Sequence, residues 1–118
     1  MVEQRAGVIT HLTGEIPQDL PSELERALYH IAEEGLNNVL KHARATEVWI
    51  DLEGEHQTLT LSIVDNGCGF DVTGITPGLG LQSLKERTEA LNGSLSIESE
   101  PGHGTQIIAR VPWEHPIT

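Results

Sequence analysis

Four polar residues, Glu34, Asn38, Lys41 and His42, stand at helical spacing within IAEEGLNNVLKHA, Ile31–Ala43. At about 100° per residue they fall within one arc of roughly 100°, so they share a face over about two turns. A carboxylate and a carboxamide four positions apart can jointly hold a hydrated divalent cation and a water. Mg²⁺ takes one or two oxygens from protein and completes its octahedron with phosphates and waters. Asn38 offers a neutral carbonyl oxygen of that kind. Glu34 can orient or deprotonate a nucleophile, and Lys41 can lie along phosphates. The same four residues also suit an ordinary solvated helix face. Gly35 weighs toward a site, because a glycine inside a helix costs up to ~1 kcal/mol relative to alanine and points to a tight packing contact.

Three glycine-bearing loops add to this face. Asp65 closes an alternating segment and is followed by Asn66-Gly67-Cys68-Gly69. A carboxylate at a strand end can accept from an exocyclic amine and reject groups that only accept. Gly67 and Gly69 allow backbone and ligand to approach closely. D-N-G is equally a common turn. Gly78-Leu79-Gly80 opens a helix at Leu81, whose free N–H groups and positive dipole end suit an anion. It matches neither the G-x-x-x-x-G-K-[ST] phosphate loop nor G-x-G-x-x-G after a strand, and it also reads as a plain linker into a helix. Gly102-His103-Gly104-Thr105 is a tight turn into the last strand. Thr105 can bond a ring nitrogen or a water, or simply start a strand.

These residues need elements to hold them. Val8, Ile9 and Leu12 mark a short strand over Gly7–Leu12, ending at the turn-like GEIP of Gly14–Pro17. The spacing predicts a helix over 23–43, opened by a capping box of Ser22 and Glu25. Leu28, Ala32, Leu36, Val39, Leu40 and Ala43 form its apolar stripe. Glu47–Glu53 and Thr58–Val64 alternate as strands, with Gly54–Gln57 as the turn between them. A second helix covers 81–91 and stops at Asn92-Gly93. Ser94–Ser99 and Gly104–Val111 are the last strands, and the tail after Pro112 frays. The pattern implies an α+β two-layer sandwich, a mixed sheet covered on one face by helices.

The 118 residues suffice for a single domain spanning 1–118. Seven Lys and Arg against 18 Asp and Glu give a net charge of −11, which excludes a nucleic-acid backbone as the main partner. No apolar run is long enough to span a membrane. The start, MVEQRAGVIT, lacks the apolar core of a signal peptide. One cysteine, Cys68, excludes an internal disulfide and a multi-cysteine metal site. A cytoplasmic location is expected, with any membrane anchor belonging to a sensor region outside this chain.

In order and spacing, the motifs resemble the ATP-binding catalytic domain of sensor histidine kinases, a member of the Bergerat-fold ATPases that include gyrase. IAEEGLNNVLKHA is similar to the N box and DNGCGF, Asp65–Phe70, to the first glycine box. GLGLQSLKERTEALNGSLSIESEPGHGT, Gly78–Thr105, is similar to the second and third. The short stretch between Gly69 and Gly78 and the L-x-E-R helix look like the nitrate-sensor type. The resemblance runs from about Gly7 to Pro112 and implies ATP and Mg²⁺ as ligands. It implies Asn38 as the metal ligand, Glu34 as base or water-orienting group, and Lys41 and His42 near the phosphates. Asp65 would receive the adenine amine, with Gly67 and Gly69 shaping its pocket. Gly78 and Gly80 would hinge a lid ahead of Leu81, and Thr105 would bond the ring.

The chain departs from the family at one point. His11, His30, His42, His56, His103 and His115 are followed by Leu, Ile, Ala, Gln, Gly and Pro, so none carries the acidic neighbour usual for a phosphoacceptor. The chain is therefore expected to be a catalytic fragment, monomeric by itself. It would phosphorylate a histidine on the kinase's separate dimerisation domain, with a response regulator downstream. A serine kinase of the anti-sigma-factor type shares the E-x-x-x-N-x-x-x-H-A pattern. A nucleotide-gated interaction module and a gyrase-like clamp fragment are further alternatives.

Overall fold

A computed structural model describes residues 2–5, 7–15, 19–38, 44–55, 57–67, 81–99 and 102–113. Its elements are β1 (Val2–Arg5), β2 (Val8–Gly14), α1 (Ser22–Asn38), β3 (Glu47–Glu55), β4 (Thr58–Asp65), α2 (Leu81–Ala90), β5 (Ser94–Ser99) and β6 (Thr105–Pro112). Six strands form one sheet in the order β1-β2-β3-β4-β6-β5. β2 and β3 are parallel and every other neighbouring pair is antiparallel, so the sheet is mixed. The expected two-layer α+β architecture is present.

Period-two alternation decides which face is covered. Leu59, Leu61 and Ile63 of β4 are buried, as are Val48 and Ile50 of β3 and Ile107, Ala109 and Val111 of β6. The register puts Ile50 beside Ile63, and Ile63 beside Ile107, so these side chains share one face. Ile31 and Leu36 of α1 and Leu84 of α2 pack with them in one cluster. Leu28 joins Leu59 and Val111 in a second cluster, nearer the start of α1. Both helices therefore lie on the same side of the sheet. On the other face His11 stacks on Trp49 and bonds Glu47 at 2.7 Å.

Several predicted boundaries shift, each for a local reason. β1 was absent from the pattern of strands, because VEQR lacks apolar alternation; it forms by pairing with β2, Val2 opposite His11. The Glu25 N–H donates to the Pro21 carbonyl at 3.0 Å. The helix thus begins at Ser22 with Pro21 as its boundary residue, and the capping box assigned to Ser22 is not the cap. β3 extends through Glu55 and β4 opens at Thr58, so β3 runs into the predicted four-residue turn, with Gln57 at φ 65°. β2 likewise continues to Gly14, past the predicted end at Leu12.

The end of α2 behaves as its sequence indicated. Gly93 N–H donates to the Thr88 carbonyl and Asn92 N–H to the Glu89 carbonyl, with Asn92 at φ 61°. This is a Schellman closure with asparagine in the left-handed position. A Cβ on Gly93 would lie 2.4 Å from the Arg110 carbonyl oxygen, so the small residue also lets the helix end press onto β6.

Candidate functional site

Gly35 is where the tight packing contact falls. A Cβ there would sit 2.4 Å from Ile63 Cδ1, so α1 crosses β4 closely at this level. Leu28 meets Leu59 at the start of β4 and Gly35 meets Ile63 near its end, so the two elements run in the same direction. Asn38, one turn beyond Glu34, therefore comes at the Asp65 end of the sheet. α2 runs back the other way, its C-terminal turn resting on β6 at Arg110, which leaves Leu81 at the Asp65 end. Asn38, Asp65, Thr105 and the first turn of α2 are thus gathered at one end of the sandwich.

Asp65 is the best-defined group there. It ends β4 opposite Val48 on one neighbour and Thr105 on the other, and it is 4% exposed. The Gly67 N–H donates to its Oδ1 at 2.7 Å, the bond of an Asx turn. The turn reading and the site reading are therefore compatible in one geometry. Oδ2 is buried and has no hydrogen-bond partner among the described residues. Burial pushes the carboxyl above its ordinary range, against the Gly67 N–H and the Thr105 hydroxyl and N–H, which lower it. A buried acceptor left without a donor fits an amine-bearing ligand.

That raised value has a consequence for stability. The folded chain holds the Asp65 proton more tightly than the unfolded chain does. Its contribution is therefore complete below the ordinary carboxylate value and is lost as pH rises through the raised folded value. Asn at this position does not titrate. Without nucleotide, the melting temperature of Asp65→Asn minus that of the unchanged chain should increase with pH across this window and level off above it. A calorimetric series over pH reads this directly, and a difference that falls with pH contradicts the assignment.

Three further residues fix the loops and strand ends around Asp65, none of them predicted to do so. Asn66 Oδ1 accepts from the Thr46 and Glu47 N–H groups at 3.0 and 2.9 Å, and its Nδ2 donates to Thr46 Oγ1 at 2.9 Å. It pins the loop after Asp65 to the start of β3. Gly104 has φ +78°, and a Cβ on it would lie 2.3 Å from the Asp65 carbonyl oxygen. Ser99 Oγ donates to the Gly104 carbonyl at 3.0 Å and lies 3.0 Å from Thr105 Oγ1. The two glycines of G-H-G-T were a signal for such crowding; the role of Asn66 depends on partners distant in sequence, and that of Ser99 on the turn that returns Gly104 and Thr105 beside it.

Glu34 projects from α1 toward α2, where Arg87 Nε donates to its Oε2 at 3.1 Å. Lys41, His42, Gly69, Gly78 and Gly80 lie outside the described residues, as do the side chains of Asn38 and Leu81.

A buried carboxylate at the sheet end meets an independent finding at this point. Residues 23–115 match the model of the histidine kinase-, DNA gyrase B-, and HSP90-like ATPases. The chain belongs to this ATPase family. Among its members, DegS of Brevibacillus brevis, a signal transduction histidine-protein kinase/phosphatase, is 41% identical over 93 residues, which are 78% of this chain and 24% of DegS. The histidine-protein kinase/phosphatase UhpB of Salmonella typhimurium is 36% identical over 110 residues, covering 92% of this chain and 22% of UhpB. The chain thus spans about a quarter of the length of each. The histidine kinase AdeS of Acinetobacter baumannii superposes with a TM-score of 0.76 at 18% identity, over 93% of this chain and 56% of that one. The histidine kinase domain of the Erythrobacter litoralis blue-light activated kinase EL346 gives 0.74 at 20% identity, over 92% and 52%. These likenesses bear out the ATPase fold. Among the described residues, no helix is long and apolar enough to cross a membrane.

Proposed function

We propose that this ATPase-family chain binds ATP with Mg²⁺ and transfers the γ-phosphoryl group to a histidine on a separate dimerisation domain of a two-component kinase. The reading rests on Asp65, whose buried Oδ2 lacks a donor that the adenine amine would supply. Gly67 and Thr105 flank that carboxylate, and Gly69 would help to shape the adenine pocket. Asn38 would hold the metal, which supplies charge neutralisation at the phosphates when bound. Lys41, His42 and the segment Gly78–Leu81 would receive the phosphate tail. Glu34 sits one turn from Asn38, where it would take the imidazole N–H. A bond forms between the imidazole nitrogen and the γ-phosphorus as the bond from that phosphorus to the β–γ bridging oxygen breaks. ADP leaves, and the imidazole proton passes to Glu34. Residues 1–118 act as the catalytic domain, and a response regulator takes the phosphoryl group from the histidine.

The test is incubation of the chain with γ-labelled ATP and a histidine kinase dimerisation domain supplied in trans. Label on that domain that is lost in acid and survives base is the expected result. Acid-stable label on a serine instead favours the anti-sigma-factor type, and nucleotide binding without label favours the interaction module. Asn38→Ala should leave metal-free nucleotide affinity within about twofold while removing a Mg²⁺ enhancement of roughly tenfold, about 1.4 kcal/mol. Titration with and without Mg²⁺ measures both. Equal enhancement in both proteins places the metal elsewhere.

A further inference from the structure

We infer that Arg87 is the positioning residue for Glu34, an inference that rests on the phosphotransfer reading above. The two side chains come from different helices and lie 53 positions apart in sequence. Their contact, Arg87 Nε to Glu34 Oε2 at 3.1 Å, is an ion pair as well as a hydrogen bond. It joins the helix bearing Glu34 and Asn38 to the helix that begins at Leu81. The pair lies about one helical turn back from Asn38, on the side of α1 that faces α2.

A glutamate on a helix surface has three rotatable side-chain bonds, and an untethered one samples many carboxylate positions. The Arg87 guanidinium is planar and permanently charged, so a bond from Nε restricts the positions open to the carboxylate. It engages one oxygen only. Oε1 accepts no hydrogen bond among the described residues and remains the oxygen for an incoming imidazole N–H. This is the arrangement of a base held by a third group, with nucleophile, base and orienter in series. Arg87 acts through Glu34.

The exposure of the pair separates this role from a structural one. The side chains of Arg87 and Glu34 are 49% and 30% exposed, and ion pairs this open contribute little to folding. Loss of the pair should therefore move the melting temperature by less than about 5 °C. Loss of positioning has a larger effect, since displacement of a reacting group by about 1 Å can slow a reaction up to ~100-fold.

The experiment measures initial rates of label transfer from ATP to the dimerisation domain for the unchanged chain, Arg87→Ala, Arg87→Lys, Glu34→Gln and the double variant Arg87→Ala/Glu34→Gln. Arg87→Ala should lower kcat about tenfold with KM for ATP within about twofold, and Arg87→Lys should recover part of the loss. The double variant should be no slower than Glu34→Gln alone, because both changes remove one function. An Arg87→Ala rate equal to that of the unchanged chain, with Glu34→Gln slow, overturns the role of Arg87 alone. A parallel rise in KM also overturns it, in favour of direct nucleotide contact. A Glu34→Gln rate equal to that of the unchanged chain removes Glu34 from the chemistry and Arg87 with it, leaving the nucleotide site standing. No transfer by the unchanged chain overturns the phosphotransfer reading and this inference together.

Discussion

Asp65→Asn should weaken ATP binding by roughly 100-fold or more while the chain stays folded. The carboxylate has two jobs for its two oxygens. Oδ1 receives the Gly67 N–H at 2.7 Å, and Oδ2 is left for the ligand. An asparagine has one oxygen and one amino group for the same two positions. If its oxygen keeps the Gly67 bond, its amino group faces the adenine amine and two donors oppose each other. If it turns over, the Gly67 N–H loses its acceptor and the turn opens. A hydrogen bond to a charged group contributes about 1.5–3 kcal/mol, and a buried group left unpaired costs about 1–3 kcal/mol more. Together these amount to some 3 kcal/mol, or about two decades in Kd. Isothermal titration calorimetry with a non-hydrolysable ATP analogue measures the change, and an affinity within threefold of the unchanged chain removes Asp65 from the adenine site. Asp65→Asn loses its ligand while shedding a buried charge, so binding and folding move independently.

Gly104→Ala should destabilise the chain by about 2–4 kcal/mol and weaken nucleotide binding with it. Two penalties meet at this residue. Its φ of +78° lies in the left-handed region, and the added methyl would sit 2.3 Å from the carbonyl oxygen of Asp65. That oxygen is backbone and cannot rotate away, so either β4 or the turn before β6 has to move. Either movement displaces Asp65 relative to Thr105. Gly102 gives the matched control, because it shares the positive φ, at +87°, but has nothing within 4 Å of an added Cβ. Gly102→Ala carries only the conformational penalty, about 1 kcal/mol. Urea unfolding of both variants separates the terms. Equal losses would mean that the Asp65 contact at Gly104 has no energetic weight.

The parts of the fold and site that were readable in sequence depend on local periodicity or on contiguous motifs. The covered face of β4 follows from its alternation, and α1 follows from its apolar stripe. The placement of Asp65 at a strand end follows from the D-N-G after Val64. Gly35 marked a close contact because its cost inside a helix demanded a reason, and Ile63 is that reason. What was not readable lies in pairings between distant segments. VEQR becomes β1 only because β2 offers it an edge. Asn66 looks like turn filler until Thr46 and Glu47 arrive beside it. The Glu34–Arg87 pair spans two helices whose antiparallel packing no local pattern announces. The start of α1 was misplaced by one residue because a serine followed by a glutamate three positions later is common near helix starts, whereas the Pro21 carbonyl receives the first bond.

β4 lies between β3 and β6 in the sheet, although 40 positions separate Asp65 from Thr105 along the chain. Neither strand flanking Asp65 is local to it in sequence. A fragment ending before β6 would carry the acidic group with no lid of hydroxyl and glycine above it, and one lacking β3 would leave its loop untied. On the proposed reading, ligand recognition is thus a property of the finished tertiary structure, since it needs β3, β4 and β6 together. A nucleotide titration doubles as an assay for complete folding.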